Sequence, residues 1–288
     1  MHIVLAGAAS RFQQISYFLF KHKQILHDMK FTVFDGLDNC KWNGGRINSN
    51  CSLTKEQEQF YVNNNVGINL IFTNNIIDVN DVTGNALLER FHKPGNGVVL
   101  VNDDLRKYIR INFPKYKITF SITGTDDISM PMSQKDFNHY TDLEEKYDYI
   151  VPRAEHNLDD KLKDLDKSKY EIYVTEGCVP CCPVWTKHYN YIAEGNREEN
   201  NYTPEIAKKY ENCMLKCSEG DLRWDKLNFD TLLNSTDEIM KLYSSGFSRF
   251  KISGRGFLES QLSIKNGITN AGFQDRLDMI LNLYNNIK

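Results

Sequence analysis

The chain has 288 residues, 41% hydrophobic and 25% charged, a globular composition that suits one large α/β barrel or two smaller domains. A formal net charge of −3 provides no general basic field, which argues against nonspecific binding along duplex nucleic acid and leaves a structured RNA open as a substrate. No run approaches the roughly 18 uncharged apolar residues of a membrane span, and the apolar start is too short and lacks the leading Lys or Arg of a secretion signal, so a cytoplasmic, membrane-free protein is expected.

Residues 1–29 join that apolar start to Ile15, Phe18, Leu19, Ile25 and Leu26 at near-helical spacing, and are read as an additional N-terminal element packed on the main fold. Short β-branched runs then recur along the chain. Lys30–Phe34, Ile68–Thr73, Val98–Val101 and Lys117–Ile122 are predicted strands, followed by Tyr147–Val151, Tyr170–Val174 and Arg249–Ile252. An eighth, weaker strand is placed at Leu227–Phe229. Helices are predicted between them, starting at Asp81, at Asp104 and at Ser235, and Ala271–Ile287 closes the chain as an amphipathic helix. Residues 183–222 form a long polar insertion, of a length that is usually functional or disordered.

Strands alternating with helices imply parallel pairing, because parallel neighbours need a crossover connection, and right-handed crossovers repeated about eight times close on themselves. The expected fold is a (β/α)8 TIM-like barrel forming a single domain over 1–288. In such a barrel the residues just after each strand share one rim, where chemistry is carried. Those positions are Asp35, Asn74, Asn75, Asn102, Asp103 and Thr123, then Arg153, Glu155 and His156, then Glu176, Cys178 and Arg255. They form a polar ring suited to a polar or anionic ligand.

The most specific local signal is cysteine. Seven cysteines make an odd count that disulfides alone would leave unbalanced, and four fall into matching pairs: Cys178 with Cys182, and Cys213 with Cys217. The first pair follows a strand directly. Thiolates are soft ligands, so four of them at a barrel rim suit a [4Fe–4S] cluster, with zinc as the alternative and Cys181 able to replace Cys182. Cys40 and Cys51 are read as ordinary thiols. His188, shortly after the cysteine loop, is a candidate proton donor or ligand. Arg255 could clamp a carboxylate or phosphate.

The strand from Glu171 through Gly177-Cys178, the later cysteines, and Phe250-Lys-Ile-Ser-Gly-Arg255 together resemble the U32 peptidase-like family. That family includes tRNA and rRNA hydroxylation factors and the anaerobic ubiquinone hydroxylation pair, and the resemblance covers mainly the second half of the chain. It implies a cluster held by Cys178, Cys182, Cys213 and Cys217. The chain departs from the family by bringing its second cysteine closer to the first and by lacking the Gly-rich stretch between them.

Three functional readings follow. The first is an iron–sulfur barrel enzyme or accessory factor for oxygen-independent hydroxylation or a related modification of RNA or a small molecule, with Arg153, Glu176, His188 and Arg255 around the substrate. The second is a non-catalytic barrel kept as a structural or interaction subunit with a protein partner, in a larger assembly such as that of a virus. The third is a zinc-binding hydrolase.

Overall fold

The structure is a computed structural model that describes residues 1–44, 51–125, 128–175, 185–197, 235–253 and 271–288, together with Cys182, Pro204, Glu205 and Lys208. Eight strands run parallel: β1 (His2–Ala6), β2 (Lys30–Asp35), β3 (Gly67–Phe72), β4 (Gly97–Leu100), β5 (Lys117–Phe120), β6 (Tyr149–Ile150), β7 (Glu171–Tyr173) and β8 (Arg249–Ile252). Their order is β6-β5-β4-β3-β2-β1-β8-β7, and a parallel bridge between Ile150 and Tyr170 joins the two edges. The ring is therefore a (β/α)8 barrel, as the alternation predicts.

The eighth strand comes from an unexpected place. β1 belongs to the segment read as an additional N-terminal element, yet it pairs with β2 from His2↔Lys30 to Ala6↔Phe34 and with β8 from His2↔Arg249 to Leu5↔Ile252. That corrects the sequence reading: 1–29 supplies the first strand and first helix of the barrel and is no appendage. A strand at Leu227–Phe229 is not needed to complete the ring, and those residues lie outside the described ones. Numbered from β1, the cysteine-bearing strand is the seventh.

Helices cover the outside: α1 (Phe12–Lys21), α2 (Ile25–Asp28), α3 (Lys55–Asn63), α4 (Val82–Phe91), α5 (Asp103–Asn112) and α6 (Gln134–Glu144). After these come α7 (Trp185–Arg197), α8 (Thr236–Ser244) and α9 (Ala271–Ile287). Their starts obey local chemistry. Asp81 accepts from the Gly84 N–H, Asn102 from the Leu105 N–H, and Ser235 forms a reciprocal cap with Glu238. The α5 cap is thus Asn102, two residues ahead of the predicted Asp104.

Alternation along each strand sorts the barrel into an outer and an inner face. The outward set, including Ile3, Leu5, Val33, Leu70, Leu100, Ile118, Ile172 and Ile252, packs on the helices as the main core. Pointing inward is a small apolar group of Val4, Ala6 and Phe34, with Ile71 against it. Much of the rest of the lumen is polar: Thr32, Asn69, Thr119, Glu171, Arg249 and Lys251 are all buried. One close approach shapes the rim. Gly84 in α4 lies under Trp42, where an added Cβ would come within 2.4 Å of the indole, so glycine lets the β2 loop settle against the helix.

Candidate functional site

The C-terminal ends of the strands form a mouth, and most of the polar ring predicted there is engaged in tying loops together. Asp35 Oδ2 accepts from the Ala9 and Ser10 N–H groups and the Ser10 hydroxyl, stitching the β1 loop to the end of β2. Asn102 donates to the Asn75 carbonyl. His156, fully buried, lies between the Tyr140 hydroxyl at 2.9 Å and the Ser129 carbonyl at 2.8 Å. A carbonyl can only accept, so Nε2 carries the proton, Nδ1 accepts from Tyr140, and the Tyr140 oxygen in turn accepts the Arg153 N–H at 3.1 Å.

Helix α7 crosses this mouth, which the reading of 183–222 as a polar insertion does not foresee. Its first turn packs on the Ile122–Gly124 turn, where Trp185 and Cys182 join Ile122 and Val151 in an apolar cluster beside Tyr173 and Tyr189. Its far end is held on the opposite side. The fully buried Asn74 donates to the Ala193 carbonyl at 3.1 Å and to the Lys41 carbonyl at 2.9 Å, and Asn196 donates to the Asn43 carbonyl at 2.8 Å. Carboxamides suit this task because each can donate to main-chain carbonyls that a crossing helix leaves without strand partners. The signal was available in sequence: Trp185, Ile192, Ala193 and Asn196 fall on one helical stripe, and all four are buried.

Arg153, predicted to hold a ligand, is 2% exposed. Its Nη2 and Nε donate to the two oxygens of Glu155 at 2.7 and 3.2 Å, and its guanidinium lies 3.7 Å from the centre of the Trp185 ring. Arginine suits this place because one planar group can fork onto a carboxylate and stack on an indole together. His188 is half-buried on α7 with its ring 5.4 Å from that of Tyr189. The structure therefore brings Arg153, Cys182 and α7, which carries His188, to one side of the mouth.

Cys178, Cys181, Cys213, Cys217, Glu176 and Arg255 lie outside the described residues. The residues that precede two of them do not: Thr175 and Ser253, buried at the ends of β7 and β8, are joined by three hydrogen bonds, with the Ser253 N–H donating to Thr175 Oγ1 at 2.6 Å. Among the described residues no group of three or more His, Cys, Asp or Glu side chains could hold a metal ion. Cys40 is a buried thiol that burial pushes up to about 12, so it stays protonated at neutral pH. Cys51 donates to the Gly36 carbonyl.

Sequence reasoning missed the lumen. At its N-terminal end Glu171, completely buried, takes Arg249 Nη2 at 2.9 Å on one oxygen and stands 3.5 Å from Lys251 Nζ on the other. Burial alone would raise the Glu171 carboxyl; Lys251 and Arg249 outweigh it and hold the group below its ordinary range. The Arg249 guanidinium lies 3.7 Å from the centre of the Tyr149 ring, and Lys251 Nζ sits 4.5 Å from that of Phe34. His2 closes the network. Arg249 Nη1 donates to its Nδ1 at 2.7 Å, leaving Nε2–H to donate to Thr32 at 2.8 Å.

Burial, and then the adjacent Arg249 guanidinium, lower His2 from 6.5 to about 3. A base with a lower pKa folded than unfolded takes its proton more readily in the unfolded chain. Stability contributed by neutral His2 is therefore intact above about pH 6.5 and drains as the pH falls towards 3, by about 1.4 kcal/mol per unit at most. Denaturation followed across this window is expected to show that slope in the natural protein and to lose it in His2→Gln. Parallel profiles for the two proteins would contradict the assignment.

No sequence profile of a known family matches the chain, and no curated protein matches it. A solved structure titled "The Structure of the U32 Peptidase Mk0906" does match, with a TM-score of 0.53 at 11% identity, over 88% of this chain and 92% of that one. The likeness is one of fold, over nearly the whole barrel. No described helix is long and apolar enough to cross a membrane.

Proposed function

We propose that the chain is a U32-like barrel whose working end is the mouth under α7. In this reading Cys178, Cys182, Cys213 and Cys217 hold a [4Fe–4S] cluster, and the protein serves an oxygen-independent hydroxylation or related modification of RNA or a small molecule. The supporting observation is Cys182. It lies at the rim in an apolar cluster with Ile122, Val151 and Trp185, whose indole carries the Arg153 guanidinium, an environment of the kind that shields a sulfur-ligated group from water. When bound, a cluster would supply electrons or a soft binding position. Arg153 and Glu155 keep Trp185 and the start of α7 in place, and α7 limits the entry of water. His188, Glu176 and Arg255 are assigned to the substrate, as proton donor, acceptor and anion clamp.

Purification without oxygen, followed by iron and sulfide analysis, is expected to give about four of each per chain. Serine at Cys178 and Cys213 is expected to abolish the visible absorption while leaving the helical signal intact. Zinc without sulfide would transfer the site to the zinc reading, and a colourless metal-free protein would remove both. A non-catalytic interaction role is the second reading. It is favoured by how many rim side chains are engaged in holding loops and α7.

A further inference from the structure

We propose that the end of the barrel opposite the mouth carries a docking groove for the sugar–phosphate backbone of a single nucleic-acid strand. The groove has a volume of about 580 Å³ and runs between α5, the end of α6, the starts of β5 and β6, and the turn at 167–169. Its cations are Arg106, Arg110, Lys117, Lys146 and Lys169, against the carboxylates of Glu145 and Asp148. In a chain of net charge −3 this is a local reversal of sign. It is also accessible: Lys117 and Arg110 side chains are 62% and 41% exposed, and Lys146 is exposed.

The internal pairing explains why the ligand is a strand rather than a lone phosphate. Asp148 stands between two of the cations, with Arg110 Nη2 and Lys117 Nζ each 2.9 Å from one of its oxygens. Burial would raise this carboxyl, but hydrogen bonds from the Ile118 N–H, Lys117 and Arg110 keep it below the usual range, so it stays charged. A single anion would have to compete with it for the same donors. A polyanion need not, because one carboxylate leaves two cations half-compensated, and Lys146 and Lys169, the latter donating to the Glu144 carbonyl, add charge to the same groove. Arg106, bonded to Asp103 at 2.7 Å, lies 5.6 Å from the centre of the Tyr147 ring, which fixes the wall of the groove. A cluster of cations in an open groove follows the phosphates of a single strand by charge, without reading its sequence, while the buried Tyr147 serves only as wall.

The groove lies at the end of the barrel away from Cys182, so it is tested separately from the cluster. Fluorescence anisotropy with a short labelled oligouridine, titrated over a range of sodium chloride, is expected to show binding that weakens steeply with salt. Lys117→Gln with Lys146→Gln leaves Arg110 paired to Asp148. It is expected to weaken binding about tenfold at low salt and to flatten the log–log salt slope by about 0.7 for each charge removed. Lys117→Arg with Lys146→Arg should bind like the natural protein, and Lys55→Gln with Lys135→Gln, exposed cations elsewhere, should stay within about twofold. Absence of binding at low salt, equal weakening by the control pair, or displacement by polyglutamate as readily as by unlabelled RNA would each overturn the proposal. Iron content is expected to be unchanged in all of these variants.

Discussion

Glu171→Leu is expected to destabilise the protein by about 3–5 kcal/mol, measured as the loss of unfolding free energy in urea. The reason is arithmetic of charge inside a low-dielectric ring. Glu171 is the described carboxylate that faces both Arg249 and Lys251, at 2.9 and 3.5 Å, and it is completely buried. Removing it leaves two cations that had been desolvated against it. The same physics predicts rescue. Adding Arg249→Met and Lys251→Met should recover most of the loss, because an apolar trio of similar volume avoids the desolvation cost of all three charges. A loss below about 1 kcal/mol in the single variant would mean that the cations are stabilised by other groups. The lumen would then not be an ionic core.

Arg153→Met is the second large effect, and it acts at the mouth. Glu155, 6% exposed on its side chain, would lose its bidentate partner, and Trp185 would lose the guanidinium on its face. Breaking a buried pair costs about 3–5 kcal/mol, and a desolvated cation–π contact about 2 kcal/mol, terms that overlap because they share one side chain. The expected result is a loss of about 3–5 kcal/mol with a red-shifted tryptophan emission, since the Trp185 cluster opens when the start of α7 loosens. Arg153→Lys should recover little, because an ammonium cannot fork onto Glu155 and stack on the indole at once. An unshifted emission spectrum would show that α7 is held by its asparagine contacts alone. Arg153 would then be dispensable for the lid and available for a ligand.

Much of the barrel is legible in the residues because the outer core repeats a simple rule. Runs such as Ile68–Phe72 and Val98–Leu100 are apolar on both faces or alternate with small polar residues, and capped amphipathic helices follow them. His2–Ala6 escapes this reading for a local reason. It is five residues long, and the small residues after it resemble a processing site. Pairing on both sides makes it a strand, and pairing is not a property of the segment alone. The Trp185–Arg197 helix is easily passed over because its buried stripe of Trp185, Ile192, Ala193 and Asn196 is short and set among polar residues.

The four paired cysteines, the ring of polar residues after the strands and the parallel barrel itself are inscribed in residue type and spacing, because thiolate chemistry, strand periodicity and crossover length are short-range properties. Three things exist only once the chain has closed. β1 becomes a barrel strand, Glu171 and Arg249 meet His2 across adjacent strands, and α7 reaches over the mouth to Asn43 and Asn74. Each depends on groups between roughly 80 and 250 positions apart becoming neighbours. Burial then decides what their charges do: the same His2, Glu171 and Arg153 would be unremarkable polar residues in water, and inside the ring they become a neutral base, a shared carboxylate and a stacked clamp.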